Sequence, residues 1–105
     1  MKVIRDKQFN ILEIGVSDNE TQIINELNIL GVEENNLIID FSKTKLKINE
    51  EFFKKFSKKN FFNQKSLVIV SDKYENYENL NIVPTLIEAI DVIEIEEIER
   101  DIDRI

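Results

Sequence analysis

The sequence predicts a single α/β domain, 1–105, built on a mixed central sheet of about 4–5 strands with about three helices. Three observations predict it. Two short, almost unbroken apolar runs, Asn36 to Phe41 and Ser66 to Ser71, have the pattern of strands buried on both faces. The stretches around them carry apolar residues at helical spacing, two of them introduced by capping patterns. The length of 105 residues suits one ordinary domain, and a 42% hydrophobic fraction balances the 33% charged residues, so the charge does not imply disorder.

Taken in order, Val3 with Ile4 and then Phe9 to Ile14 read as two short strands separated by polar Arg5 to Gln8, which suits a hairpin. Ser17 and Glu20 have capping-box spacing, and a helix is expected from there to about Leu30. Ile23, Ile24, Leu27 and Leu30 share one face of it, and Gly31 supplies a C-terminal stop. After the strand at Asn36 to Phe41 comes a Lys-rich connection, Ser42 to Lys47. A second helix, about Asn49 to Asn60, is suggested by Phe52, Phe53 and Phe56, with Lys54, Lys55, Lys58 and Lys59 toward the other side. The strand at Ser66 to Ser71 follows, and a βαβ unit of this kind makes its two strands parallel neighbours. Polar Lys73 to Asn79, carrying Tyr74 and Tyr77, reads as a loop. Asn81 to Val83 suits a short edge strand, and Thr85 with Glu88 caps a terminal helix from about Leu86.

Chemistry is bounded by what is missing. With no Cys, His or Trp, the chain offers no thiolate nucleophile, no Ser-His or Cys-His pair, no disulfide and no zinc, haem or iron–sulfur site of ordinary ligand type. Gly15 and Gly31 sit in no phosphate-cradling pattern. The carboxylates Glu94, Glu96, Glu97, Glu99, Asp101 and Asp103 lack a calcium-loop pattern and read as a solvated helix face. No enzyme, cofactor or metal is expected. No apolar run approaches the roughly 18 residues of a bilayer span. Met1 to Asp6 lacks a signal-peptide core, so a cytoplasmic protein is expected.

The predicted element order resembles the STAS-like fold, the family of sulfate-transporter and anti-sigma-factor-antagonist domains. Two local stretches add to the resemblance: Asn36 to Ser42 is similar to that family's central strand ending in Asp, and Val83 to Ile90 to the segment entering its last helix. The resemblance implies a non-catalytic, regulatory protein–protein interaction module. It also implies a partner face around the exit of the central strand, which here comprises Ser42, Lys43, Thr44, Lys45, Lys47, Asn49 and Glu50. In the phosphorylated antagonists an Asp-Ser-Ser-Gly-like turn carries the phosphoacceptor Ser. The corresponding stretch here, Thr44 to Glu51, has neither Ser nor Gly, so the phosphorylation switch is expected to be absent. The string Val83 to Asp101 also resembles the ending of small Bacteroidetes-type proteins, some of them labelled ribonuclease Z. A zinc nuclease needs a cluster of His ligands, and this chain has none.

Charge is segregated: residues 1–40 carry −5, 41–66 carry +6 and 67–105 carry −8. The Lys- and Phe-rich segment 43–65 supports an alternative function, a nucleic-acid-binding module, against the plainer reading that the Phe side chains face the core and the Lys side chains face water. The basic rim at the proposed partner face suits an acidic protein partner. In the terminal helix, Leu86, Ala89, Ile90 and Ile93 form one apolar face, but Glu96 and Glu97 take its next positions. At about 100° per residue, Ile98, Ile102 and Ile105 fall well round from that face. Either the chain bends near Glu94 and the row packs within the molecule, or the distal Ile row packs on another surface, that of a second copy in a homodimer through Ile98, Ile102 and Ile105, and the sequence favours neither over the other.

Overall fold

The two buried apolar runs become the centre of a five-stranded sheet with helices against it. A computed structural model describes residues 1–44, 52, 65–72 and 81–103. Its elements are β1 (Lys2–Arg5), β2 (Phe9–Glu13), α1 (Glu20–Gly31), β3 (Asn36–Asp40), β4 (Leu67–Val70), β5 (Asn81–Val83) and α2 (Leu86–Asp103). The strand order is β1-β2-β3-β4-β5. β1 is antiparallel to β2, and β2 to β5 run parallel. The fold is α/β with a mixed sheet. Two helices are seen among the described residues; of the additional helix expected at Asn49 to Asn60, only Phe52 is described, and it is helical. The expected loop Lys73 to Asn79, with Tyr74 and Tyr77, also lies outside the described residues.

Every residue of β3 is buried, as a strand covered on both faces requires. Alternation then splits the core in two. Leu12, Leu37, Ile39 and Ile69 face Ile23, Leu27 and Leu30 of α1 together with Phe52. Ile11, Ile38, Val68 and Val70 face Ala89 and Ile93 of α2. Burying an aliphatic side chain of this size contributes about 1.5–3 kcal/mol. The sheet interior therefore dominates the stability. No helix among the described residues is long and apolar enough to cross a membrane.

Both ends of α1 differ from the sequence expectation. The cap is Asn19 and not Ser17: Asn19 Oδ1 accepts from the Gln22 N–H at 3.0 Å, and Gln22 Oε1 accepts from the Asn19 N–H at 2.9 Å. The reason lies in the preceding turn. Gly15 donates its N–H to Asp18 Oδ2 at 2.6 Å, so residues 15–18 carry the chain off the sheet edge before a helix can begin. Gly15 suits this close approach, since a Cβ there would stand 3.0 Å from the same oxygen. The Gly15 N–H, and then the amino terminus of Met1 at 3.0 Å, lower the Asp18 carboxyl below its ordinary range. At the other end, Gly31 is still helical, Val32 is the cap, and the left-handed residue is exposed Glu34 at φ 53°. The turn after the helix, in which the Glu33 N–H donates to the Leu30 carbonyl, brings Glu33 to Arg5, which donates to both its carboxylate oxygens at 2.9 Å, and to Asn10 at 3.3 Å.

α2 runs unbroken from Leu86 to Asp103, and its inward face changes character halfway. Leu86, Ala89, Ile90 and Ile93 pack on the sheet. One turn on, the sheet ends, and Glu96, Glu97 and Arg100 meet polar residues at the amino ends of the strands. Asn36 is 1% exposed; its Nδ2 donates to the Gln8 carbonyl at 2.8 Å and to Glu97 Oε1 at 2.7 Å. Its Oδ1 accepts from the Ser66 N–H at 2.7 Å and from Arg100 Nη2 at 3.3 Å. Arg100 also donates to Ser66 Oγ at 3.0 Å and pairs with Glu97 at 2.9 Å, while Glu96 accepts from Ser66 Oγ at 3.3 Å and Asn81 Nδ2 at 3.1 Å.

The Asn36 amide, and then Arg100, hold the Glu97 carboxyl below its ordinary value of 4.5. A depressed carboxyl stabilises the fold above its unfolded pKa, and that contribution disappears as pH falls through the lower folded value. The stability gap between wild type and Glu97→Gln should therefore be full at neutral pH and close as the pH drops below 4.5, as read from urea midpoints across an acid series. A gap independent of pH would assign Glu97 no such role.

Candidate functional site

The exits of the parallel strands form a stepped edge, the end of an open α/β sheet where ligands and partners commonly bind. Ile14 donates its N–H to the Asp40 carbonyl, Phe41 to that of Val70, and Ser71 to that of Val83, each at 2.9 Å. The last residue of each strand is thus held by its neighbour, which makes the edge a rigid base for the turn after β3.

That turn contains the described part of the predicted partner face. Asp40 is buried, and its Oδ1 accepts from the Ser42 N–H at 2.9 Å. The Thr44 N–H reaches the Phe41 carbonyl at 3.3 Å and closes a four-residue turn. Ser42 and Lys43 are exposed at its corners, and Thr44 is half-buried. Lys45, Lys47, Asn49 and Glu50 lie outside the described residues. Lys43 Nζ is 3.1 Å from Glu13 Oε1, at the exit of β2. Among the described residues the expected basic rim is therefore one ion-paired lysine beside Glu13. Sequence reading left out Glu13, because only the parallel register of β2 and β3 brings residues 13 and 43 together.

Phe52, from the segment considered for nucleic-acid binding, is 4% exposed and belongs to the core cluster. A side chain so placed gives no stacking platform. The other Phe residues of that segment, Phe53, Phe56, Phe61 and Phe62, lie outside the described residues.

Of the distal isoleucine row, Ile98 and Ile102 are exposed, and Ile105 lies outside the described residues. Ile98 and Ile102 point away from the face that carries Ala89 and Ile93. Ile87 and Ile95, which sequence reading did not single out, are exposed as well. Their helical spacing from Ile98 was the available signal.

Every buried side-chain nitrogen and oxygen among the described residues has a hydrogen-bond partner. No group of three or more Asp and Glu side chains there could hold a metal ion. The strand exits thus present a held turn, and the polar groups at the strand entries are occupied with one another. No protein-family model matches the chain, and neither a curated protein nor a solved structure matches it.

Proposed function

We propose that the chain is a non-catalytic, cytoplasmic protein-interaction module of the STAS-like kind, resembling a bacterial anti-sigma-factor antagonist that lacks the phosphoacceptor Ser. The observation that carries this reading is the exposed Ser42-Lys43 corner, held at the exit of the fully buried central strand by Asp40 and by the Phe41–Thr44 hydrogen bond. The antiparallel first hairpin, followed by parallel strands in sequential order, supports it. A turn fixed at both ends presents its side chains with little ordering cost on binding, which suits recognition.

The test compares wild type with Ser42→Glu/Lys43→Glu as bait in extract of the native cell. The Lys43–Glu13 pair is solvent-exposed and worth at most about 1 kcal/mol, so the variant should fold. A discrete protein should be retained by wild type, resist nuclease treatment and be lost from the variant. Retained material that is nucleic acid, released by nuclease or salt, would replace this reading with the nucleic-acid module of segment 43–65. Equal retention by both baits would remove the turn from the partner face.

A further inference from the structure

We infer that the outward face of α2 is a second docking surface, and that its occupant is a cationic amphipathic helix of a different protein. Ile87, Ile95, Ile98 and Ile102 are between 56% and 73% exposed. At about 100° per residue they fall within about 80° of one another, on the side of the helix opposite the core-facing Ala89 and Ile93. Exposed isoleucines scattered singly are ordinary on a protein surface, and exposed Asp91 separates Ile87 from the rest, whereas Ile95, Ile98 and Ile102 are neighbours on the helix and make a contiguous apolar patch of the kind that marks an interaction site. The uninterrupted part, from Ile95 to Ile102, is about 10 Å long at the helical rise.

Spacing identifies the kind of partner. Ile95, Ile98 and Ile102 are separated by three and then four residues, and the sequence continues the alternation to Ile105. This is the a/d seam of a helix that packs against another helix. Charge identifies its sign. The seam is flanked by exposed Glu94, Glu99 and Asp101, and its amino end meets exposed Asp91, which stands on the same face between Ile87 and Ile95. Arg100, the one cation in α2, is turned inward to Glu97, Ser66 and Asn36. Flanking charges select partners in helix pairs: two copies of this face would set carboxylate against carboxylate, whereas Lys or Arg at those positions would pair with them. The charge therefore disfavours the homodimer through Ile98, Ile102 and Ile105 and favours a basic partner.

Two synthetic helical peptides test this, both with leucine at the a and d positions, one with lysine and the other with glutamate at e and g. The lysine peptide should bind the labelled full chain saturably in fluorescence anisotropy and weaken as salt is raised, and the glutamate peptide should not bind. Ile98→Asp/Ile102→Asp, checked for an unchanged far-UV spectrum, should weaken binding at least ten-fold. Glu94→Lys/Asp101→Lys should shift preference toward the glutamate peptide. Equal binding of both peptides, no saturable binding, or unchanged affinity in the Ile98→Asp/Ile102→Asp protein would overturn the proposal. So would a wild-type dimer in sedimentation that dissociates in that variant, since the stripe would then belong to a second copy. The turn at Ser42-Lys43 is not involved, so failure here leaves the proposed function standing.

Discussion

Replacing Asn36 with Leu is expected to destabilise the fold by about 1–3 kcal/mol, because the isosteric side chain leaves the buried Ser66 N–H without a partner. Asn36 is the node of the amino-end cluster. It accepts from the Ser66 N–H, donates to the Gln8 carbonyl, and joins both to Glu97 and Arg100 on α2. With Leu there, the buried Ser66 N–H loses the acceptor it has at 2.7 Å, whereas the carbonyl of exposed Gln8, which loses a donor at 2.8 Å, can turn to water. A buried N–H left unpaired costs about 1–3 kcal/mol, above the net worth of a single satisfied hydrogen bond. Arg100 and Glu97 are part-exposed and can turn to water, so they add little to the loss. Urea unfolding of the two proteins measures the difference. A loss below about 1 kcal/mol would mean that water replaces the amide at this site.

The second large effect separates the two sides of α2. Ile93 is fully buried between α2 and the sheet, against Ile38 and Val68, whereas Ile98 is 60% exposed. Ile93→Ala should cost about 2–5 kcal/mol, the sum of lost transfer energy and the cavity left behind. Ile98→Ala should change stability by less than about 0.5 kcal/mol, as surface substitutions do. Chemical denaturation of the pair reads both values. Equal losses would mean that the outer row is covered within the folded chain, and the surface described for α2 would not exist.

These contrasts trace how much of the molecule was legible in the amino-acid order. The strands at 36–40 and 67–70 were legible because a strand covered on both faces needs an unbroken apolar run, and runs this short, bounded by polar residues, suit a strand better than a helix. Their parallel pairing followed from the length of chain between them. The cap of α1 was harder to read. Ser17/Glu20 and Asn19/Gln22 are both capping-box pairs, and local chemistry ranks them nearly equal. The Gly15–Asp18 turn decided between them.

For the candidate partner face, sequence alone located the turn after the central strand but not the environment of its lysine. A strand-terminal Asp and a polar connection mark a strand exit; that Glu13 stands 3.1 Å from Lys43 depends on the pairing of β2 with β3.

By itself, then, the sequence determined the α/β class, the buried strands, the segregation of charge, and a terminal helix with two apolar stripes. Tertiary structure decided what each stripe does. Hydrophobic periodicity reports which side chains share a face, but not what stands opposite that face. Glu96 and Glu97 looked like a break in a core stripe; they are where the sheet ends and Asn36 and Ser66 need partners. Those partners lie thirty or more residues away in sequence, so only the folded chain brings them together, and in doing so it leaves the isoleucine row facing outward.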